Sequence, residues 1–250
     1  MYALKHTIKT KEEDAVNIIE CENLTKNYYK AGIPALNHVN FTIPDGSGIV
    51  GLLGPNGSGK TTLIKLLTGL LTPTEGYAKI AGYPIGVETK SIVSYLSDAH
   101  SLDDSMTVKE TLDYFEEFFL DFEKEKALTM VGELGINENK KVKTLSKGTK
   151  EKLSLILTLS RNARLFILDD PIAGVDPAAR EYILRTILAH KRANSTMLIS
   201  THLISEIEHY FDHVIFLKEG NVVLNGKADE IREREGKSID ELFREVFRWI

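Results

Sequence analysis

Between Gly51 and Leu63 the chain reads GLLGPNGSGKTTL, and Gly54, Gly59, Lys60 and Thr61 satisfy the spacing G-x-x-x-x-G-K-[ST]. The stretch stands between an apolar strand pattern and a helical one, which is the context a phosphate-binding loop requires. Its glycines allow Gly54, Pro55, Asn56, Gly57, Ser58 and Gly59 to curl with the N–H groups of the loop, which Pro55 alone lacks, pointing inward. The helix N-terminus that follows adds partial positive charge toward an anion. In this reading Lys60 reaches the β- and γ-phosphates of a nucleotide. The Thr61 hydroxyl binds Mg²⁺, and Thr62 completes the contact. A plain glycine turn is the simpler reading, and the strand–loop–helix context weighs against it.

A second stretch, RLFILDDPIAGVD from Arg164 to Asp176, sets two adjacent carboxylates, Asp169 and Asp170, after an apolar run. In phosphate-loop folds a second strand brings an acid to the magnesium, and Asp169 ends such a strand. Without the phosphate loop, an acid at that place would read as a cap or a turn residue.

The elements that must position these groups follow from periodicity. Strands are predicted at VNIIE from Val16, HVNFTI from His38, GIVGLLG from Gly48, SIVSYL from Ser91, RLFILD from Arg164, TMLIS from Thr196, HVIFLK from His213 and NVVLN from Asn221. Helices are predicted over Lys60–Gly69, Val108–Phe119, Lys124–Leu134, Gly148–Ser160, Pro177–His190 and Leu203–Tyr210. The alternation argues for an α/β fold with a mostly parallel sheet. Successive helices at about 100–160 read as an inserted helical subdomain. Ile239, Leu242, Phe243, Val246, Phe247 and Ile250 fall at helical spacing behind a capping box, SIDE, at Ser238–Glu241, and read as a core-facing stripe.

Composition narrows the class. The 250 residues, 42% hydrophobic and 27% charged, suffice for one large domain or a domain with a subdomain. A net charge of -5 gives no global electrostatic reason to expect nucleic acid. The single cysteine, Cys21, excludes an internal disulfide framework and fits a reducing compartment such as the cytosol. No signal-peptide core occurs, and no run of 18 apolar residues is present, so a membrane span within the chain is not expected. Residues 1–15 read as a polar extension.

Further motifs give the phosphate loop a family resemblance. LSKGTKEKLSL from Leu145 resembles the signature motif of ABC ATPases, usually written LSGGQ. AGVD at Ala173–Asp176 resembles their D-loop, and LISTHLISEIE carries His202 where the family has its switch histidine. KNYYKAGIPALNHVNF resembles the family's opening, with Tyr28 at the place of the aromatic that stacks on adenine. Order and spacing agree over about residues 17 to 226, and the sequence resembles the ATP-binding subunit of an ABC transporter, of the bacterial export type.

The resemblance implies a phosphate-loop NTPase core with an N-terminal antiparallel β-subdomain and an inserted helical subdomain, assigned to 16–226 and followed by an amphipathic helical tail at 227–250. It implies ATP and Mg²⁺ as ligands, and two subunits meeting head to tail. Each ATP would then lie between one chain's phosphate loop and the other's Ser146, Lys147 and Gly148, with Asp176 also at the nucleotide. It implies an integral-membrane permease as partner, no nucleic acid, and a place on the inner face of the cell membrane through that permease. The helical subdomain and the Asp98 loop would form the docking surface.

Several positions depart from the family pattern. Lys147 stands for glycine and either adds charge near the phosphates or faces solvent; Thr149 stands for glutamine. Asp98 stands for the Q-loop glutamine, where a carboxylate is a hard oxygen ligand for Mg²⁺. Asp170 stands for the glutamate that polarises the attacking water, on a stem roughly 1.5 Å shorter. His202 is expected near the γ-phosphate. His209 and His213 have zinc-like spacing, but no third ligand completes a site. Two other classes remain: a non-transport ATPase of the same fold, and a regulatory module that binds ATP with little turnover. Against the first, no sustained heptad tract and only one phosphate loop occur.

Overall fold

The computed structural model describes residues 17–28, 32–97, 102–172 and 177–248. Two sheets organise them. The larger has the order β10-β9-β3-β8-β7-β6, where β3 is Ile49–Leu53, β6 Val93–Leu96, β7 Leu165–Asp169, β8 Thr196–Thr201, β9 His213–Lys218 and β10 Asn221–Lys227. Its strands from β9 to β6 are parallel, and β10 pairs antiparallel with β9. Every residue of β3 and β7 is buried, which is why IVGLL and LFILD carry no polar alternation.

The two faces of this sheet feed two apolar clusters. Ile49, Leu53, Phe166, Leu168, Met197, Ile199, Val214 and Phe216 point to one side, while Val50, Leu52, Leu165, Ile167, Leu198, Ile215 and Leu217 point to the other. The alternation is the period-2 consequence of strand geometry. The first side is covered by α3 (Val108–Phe118), α4 (Lys124–Glu133) and α5 (Lys147–Leu159), through Leu112, Met130, Leu153 and Ile156 among others. The second is covered by α1 (Lys60–Leu67) and by an antiparallel sheet of order β2-β1-β4-β5, comprising β1 Asn17–Lys26, β2 Leu36–Pro44, β4 Glu75–Ile80 and β5 Tyr83–Pro84.

Caps fix where the helices begin. Thr107 and Glu110 form a capping box on α3, and Ser146 Oγ accepts from Thr149 N at 3.2 Å to start α5 one residue earlier than the pattern predicts. Helix α6 spans Pro177–His190, as predicted. At the C-terminus, α8 (Ala228–Glu235) and α9 (Ile239–Val246) fold back onto the sheet. The predicted box at Ser238 forms, with Glu241 N donating to Ser238 Oγ at 3.1 Å. Ile239, Leu242 and Phe247 are buried, and the Phe247 ring centre lies 5.9 Å from that of Phe216.

Three expectations are corrected. The strand at SIVSYL begins only at Val93, because Ser91 and Ile92 close a short helix, α2 (Val87–Ile92), in which Ser91 Oγ donates to the Glu88 carbonyl at 2.7 Å. The predicted helix over Leu203–Tyr210 shortens to α7 (Ile204–Ile207) and tightens into a 3₁₀ turn over Glu208–Tyr210. There the buried Glu208 accepts from Asp240 N at 2.9 Å and its carbonyl takes a bond from Arg232. Strands β4 and β5 had no counterpart in the predicted elements. Val16, the residues before it and Ile250 lie outside the described residues.

Candidate active site

The parallel strands end in register, and this brings the chemistry together. Leu53 pairs with Thr201 and Asp169 with Ser200, so the residues that follow β3, β7 and β8 emerge side by side at the carboxyl edge of the sheet. They line an open cleft of about 390 Å³ whose walls include Asn56, Gly57, Gly59, Lys60, Thr61, Thr62, Asp169, Asp170, Ser200 and His202.

The loop over residues 54–59 owes its shape to two glycines. A Cβ on Gly54 would collide with the Leu217 carbonyl oxygen and with Ser58 Oγ. Gly59, at φ 109°, holds the left-handed turn that caps α1 and lies against the Ala35 carbonyl. Lys60 Nζ curls over the loop and donates to the carbonyls of Gly54 at 2.7 Å and Pro55 at 3.1 Å. Burial pushes its pKa down, while the nearby charges of Asp170 and Asp169 oppose that shift. Ser58 Oγ is buried with no hydrogen-bond partner.

Opposite the loop stand the two acids. Asp169 is buried, and its Oδ1 accepts from Ser200 Oγ at 2.6 Å. Asp170 has φ 50°, a left-handed conformation that Asp tolerates better than most residues. Its Oδ2 lies 2.7 Å from His202 Nδ1, and its Oδ1 is buried without a partner. Orphaned buried groups and left-handed backbone concentrate at functional sites.

These residues fit a magnesium nucleotide. The Thr61 hydroxyl and the Asp169 carboxylate are hard oxygen donors, and Ser58 Oγ and the Lys60 ammonium are polar groups turned on a glycine loop that leaves room for phosphate. Tyr28 stands beside the loop, with its Oη 3.3 Å from Thr62 Oγ1 and its side chain partly exposed.

Other predicted site residues lie elsewhere. Ser146, Lys147 and Gly148 sit at the N-terminus of α5 and do not line this cleft; the Lys147 side chain is 81% exposed, 3.9 Å from Glu151. Of the two readings for Lys147, the solvent-facing one describes this chain taken singly. Asp98 and Asp176 lie outside the described residues. Among the described residues no cluster of His, Cys, Asp and Glu could hold a metal by itself, and His213 instead pairs with Asn225 Oδ1 at 2.7 Å. Sequence reasoning missed Ser200, whose signal was a hydroxyl two residues before His202 on the strand adjacent to LFILD.

Residues 36–173 match the ABC transporter family. The chain is 31% identical to the lantibiotic transport ATP-binding protein SrtF of Streptococcus pyogenes over 90% of its own length and 96% of that protein. It is 32% identical to the Nod factor export ATP-binding protein I of Rhizobium meliloti, over 90% of this chain and 69% of that one. A solved ATP-binding subunit of an ABC transporter superposes with a TM-score of 0.81 at 28% identity, covering 92% of this chain and 99% of the other. A phosphate loop that faces a strand-end aspartate, on a fold shared with these proteins along nearly its whole length, identifies the chain as a member of the ABC transporter family, an ATP-binding subunit with ATPase activity.

Proposed function

We propose that the chain is the motor of an export system: it closes head to tail with a second such subunit around MgATP, hydrolyses the nucleotide, and drives a separate membrane permease. The observation that carries this reading is the division of the site. The phosphate loop, both acids and His202 converge on one cleft, while Ser146 and the amides at the start of α5 stand outside it. A helix N-terminus is a ready site for phosphate, and a second chain's nucleotide would give this one its ligand.

Within the cleft, Lys60 would exchange the carbonyls of Gly54 and Pro55 for phosphate oxygens. Thr61 and Asp169 would hold Mg²⁺, which when bound neutralises charge on the β- and γ-phosphates. Asp170 would act as general base, its carboxylate oriented by His202 through Oδ2. The export direction is favoured by the likeness to the Nod factor export protein.

The permease would dock on a groove of about 630 Å³ lined by Tyr95 and Ser97 at the end of β6, by Leu102 and Met106, and by Tyr114 and Leu157 of the helical layer. Among the described residues no helix is long and apolar enough to cross a membrane, and in this reading the spanning segments belong to the partner. The subunit would sit on the inner face of the membrane through that contact.

The test is light scattering of the full-length Asp170→Asn chain, which should bind ATP without hydrolysing it. MgATP should double its mass from 28.0 kDa, and Ser146→Tyr added to the same chain should keep ATP binding but remove the dimer. A chain that stays monomeric with MgATP, alone and with its co-purifying permease, would contradict the head-to-tail reading.

A further inference from the structure

We propose that Ser200 is a positioning residue for both acids, one hydroxyl that orients the Asp169 carboxylate and tethers the backbone of Asp170. The inference rests on the reading of Asp169 as a magnesium ligand and of Asp170 as the base.

The hydrogen-bond directions are determined by chemistry. Asp170 N can only donate, and it lies 2.9 Å from Ser200 Oγ, so the hydroxyl accepts there. Its single proton is then directed to Asp169 Oδ1, 2.6 Å away, and an ionised carboxylate can only accept. The Asp169 contact is a charge-assisted bond of the short, strong kind. Ser200 is 1% exposed, so water does not compete for either bond.

Each bond controls a different freedom. The carboxylate torsion of aspartate is broad and two-fold, and a fixed donor on one oxygen selects its plane. The left-handed φ of 50° at Asp170 carries strain that the surroundings must hold, and Asp170 N is held twice, by Ser200 Oγ and by the Ser200 carbonyl at 3.1 Å. The strand register Asp169↔Ser200 is what puts one side chain within reach of both residues. Removing the hydroxyl leaves the carbonyl bond in place, so Ser200→Ala should fold while losing the orientation of Asp169.

The experiment uses the full chain with a non-hydrolysable ATP analogue and Mn²⁺, a spin-active substitute for magnesium, titrated by electron paramagnetic resonance. Partners that orient metal ligands are worth about 10- to 100-fold in metal affinity, so Ser200→Ala should weaken Mn²⁺ binding by about 10-fold or more. Affinity for the analogue without metal should stay within about twofold of the parent, as the phosphate loop is untouched. Ser200→Thr, which keeps the hydroxyl, should recover most of the Mn²⁺ affinity. Asp169→Asn serves as the reference and should lose Mn²⁺ binding outright.

If Asp169→Asn loses Mn²⁺ while Ser200→Ala binds it like the parent, the positioning role is wrong and the reading of Asp169 stands. If Asp169→Asn itself binds Mn²⁺ like the parent, the underlying reading fails and the role of Ser200 falls with it. A Ser200→Thr chain that melts with the parent yet binds Mn²⁺ as weakly as Ser200→Ala assigns the loss to packing and overturns the proposal.

Discussion

His202 Nδ1 lies 2.7 Å from Asp170 Oδ2, although the two residues belong to different strand ends 32 positions apart. The imidazole is about half exposed and the carboxylate more enclosed, so the pair faces the cleft with Asp170 behind and His202 at the rim. A short aspartate stem is thereby held by a ring that can also meet an incoming phosphate.

The pair should behave as one unit. His202→Ala should slow hydrolysis on the order of 100-fold through loss of orientation at Asp170. Combined with Asp170→Asn it should add little to the single change, since residues that act together are non-additive. Steady-state rates for the four chains of the cycle decide this, and additive losses would separate the two roles.

Tyr28 should contribute stacking to the adenine. Its Oη stands 3.3 Å from Thr62 Oγ1 at the edge of the phosphate loop. Tyr28→Ala should weaken ATP binding by about 1 to 3 kcal/mol, while Tyr28→Phe, which keeps the ring, should stay near the parent. Calorimetric titration with ATP and GTP checks both, and the two nucleotides should lose affinity together because stacking accepts any base.

Stability should fall on mild acidification. Burial pushes the pKa of His213 below its ordinary 6.5, against the bond to Asn225, and burial followed by the charge of Lys126 does the same to His190. As pH drops through that value the unfolded chain takes up protons before the folded one, so stability declines and then levels off below the folded pKa values. The urea midpoint should decrease between about pH 7.5 and 5.5. His213→Gln should flatten that slope, and an unchanged slope would remove His213 as a cause.

The site was legible where its signal is local. GLLGPNGSGKTTL reads as strand, loop and helix because apolar periodicity changes on either side of the glycines, and LFILD shows its acid at the end of a buried run. Strand β4 was not legible, since Glu75, Gly76 and Tyr77 are exposed and it is specified by antiparallel pairing with β1, whose partners stand far off in the chain, as in Ile19↔Ile80 and Thr25↔Glu75. The left-handed turn at Asp170 and the reach of Ser200 were hidden for the same reason: both depend on the register between β7 and β8, which no short window of sequence contains. The departure from glutamate at position 170 was visible, whereas its contact with His202 was not.

The most direct measurement is phosphate release by the Asp170→Asn chain against the parent, with ATP affinity measured on the same preparations. Asparagine has the aspartate shape and its tolerance of left-handed backbone, so the fold and the phosphate loop are preserved while the proton acceptor is lost. The expected result is hydrolysis slower by about 100-fold or more, with ATP binding within about threefold of the parent. Hydrolysis at the parent rate would contradict the assignment of Asp170 as the base.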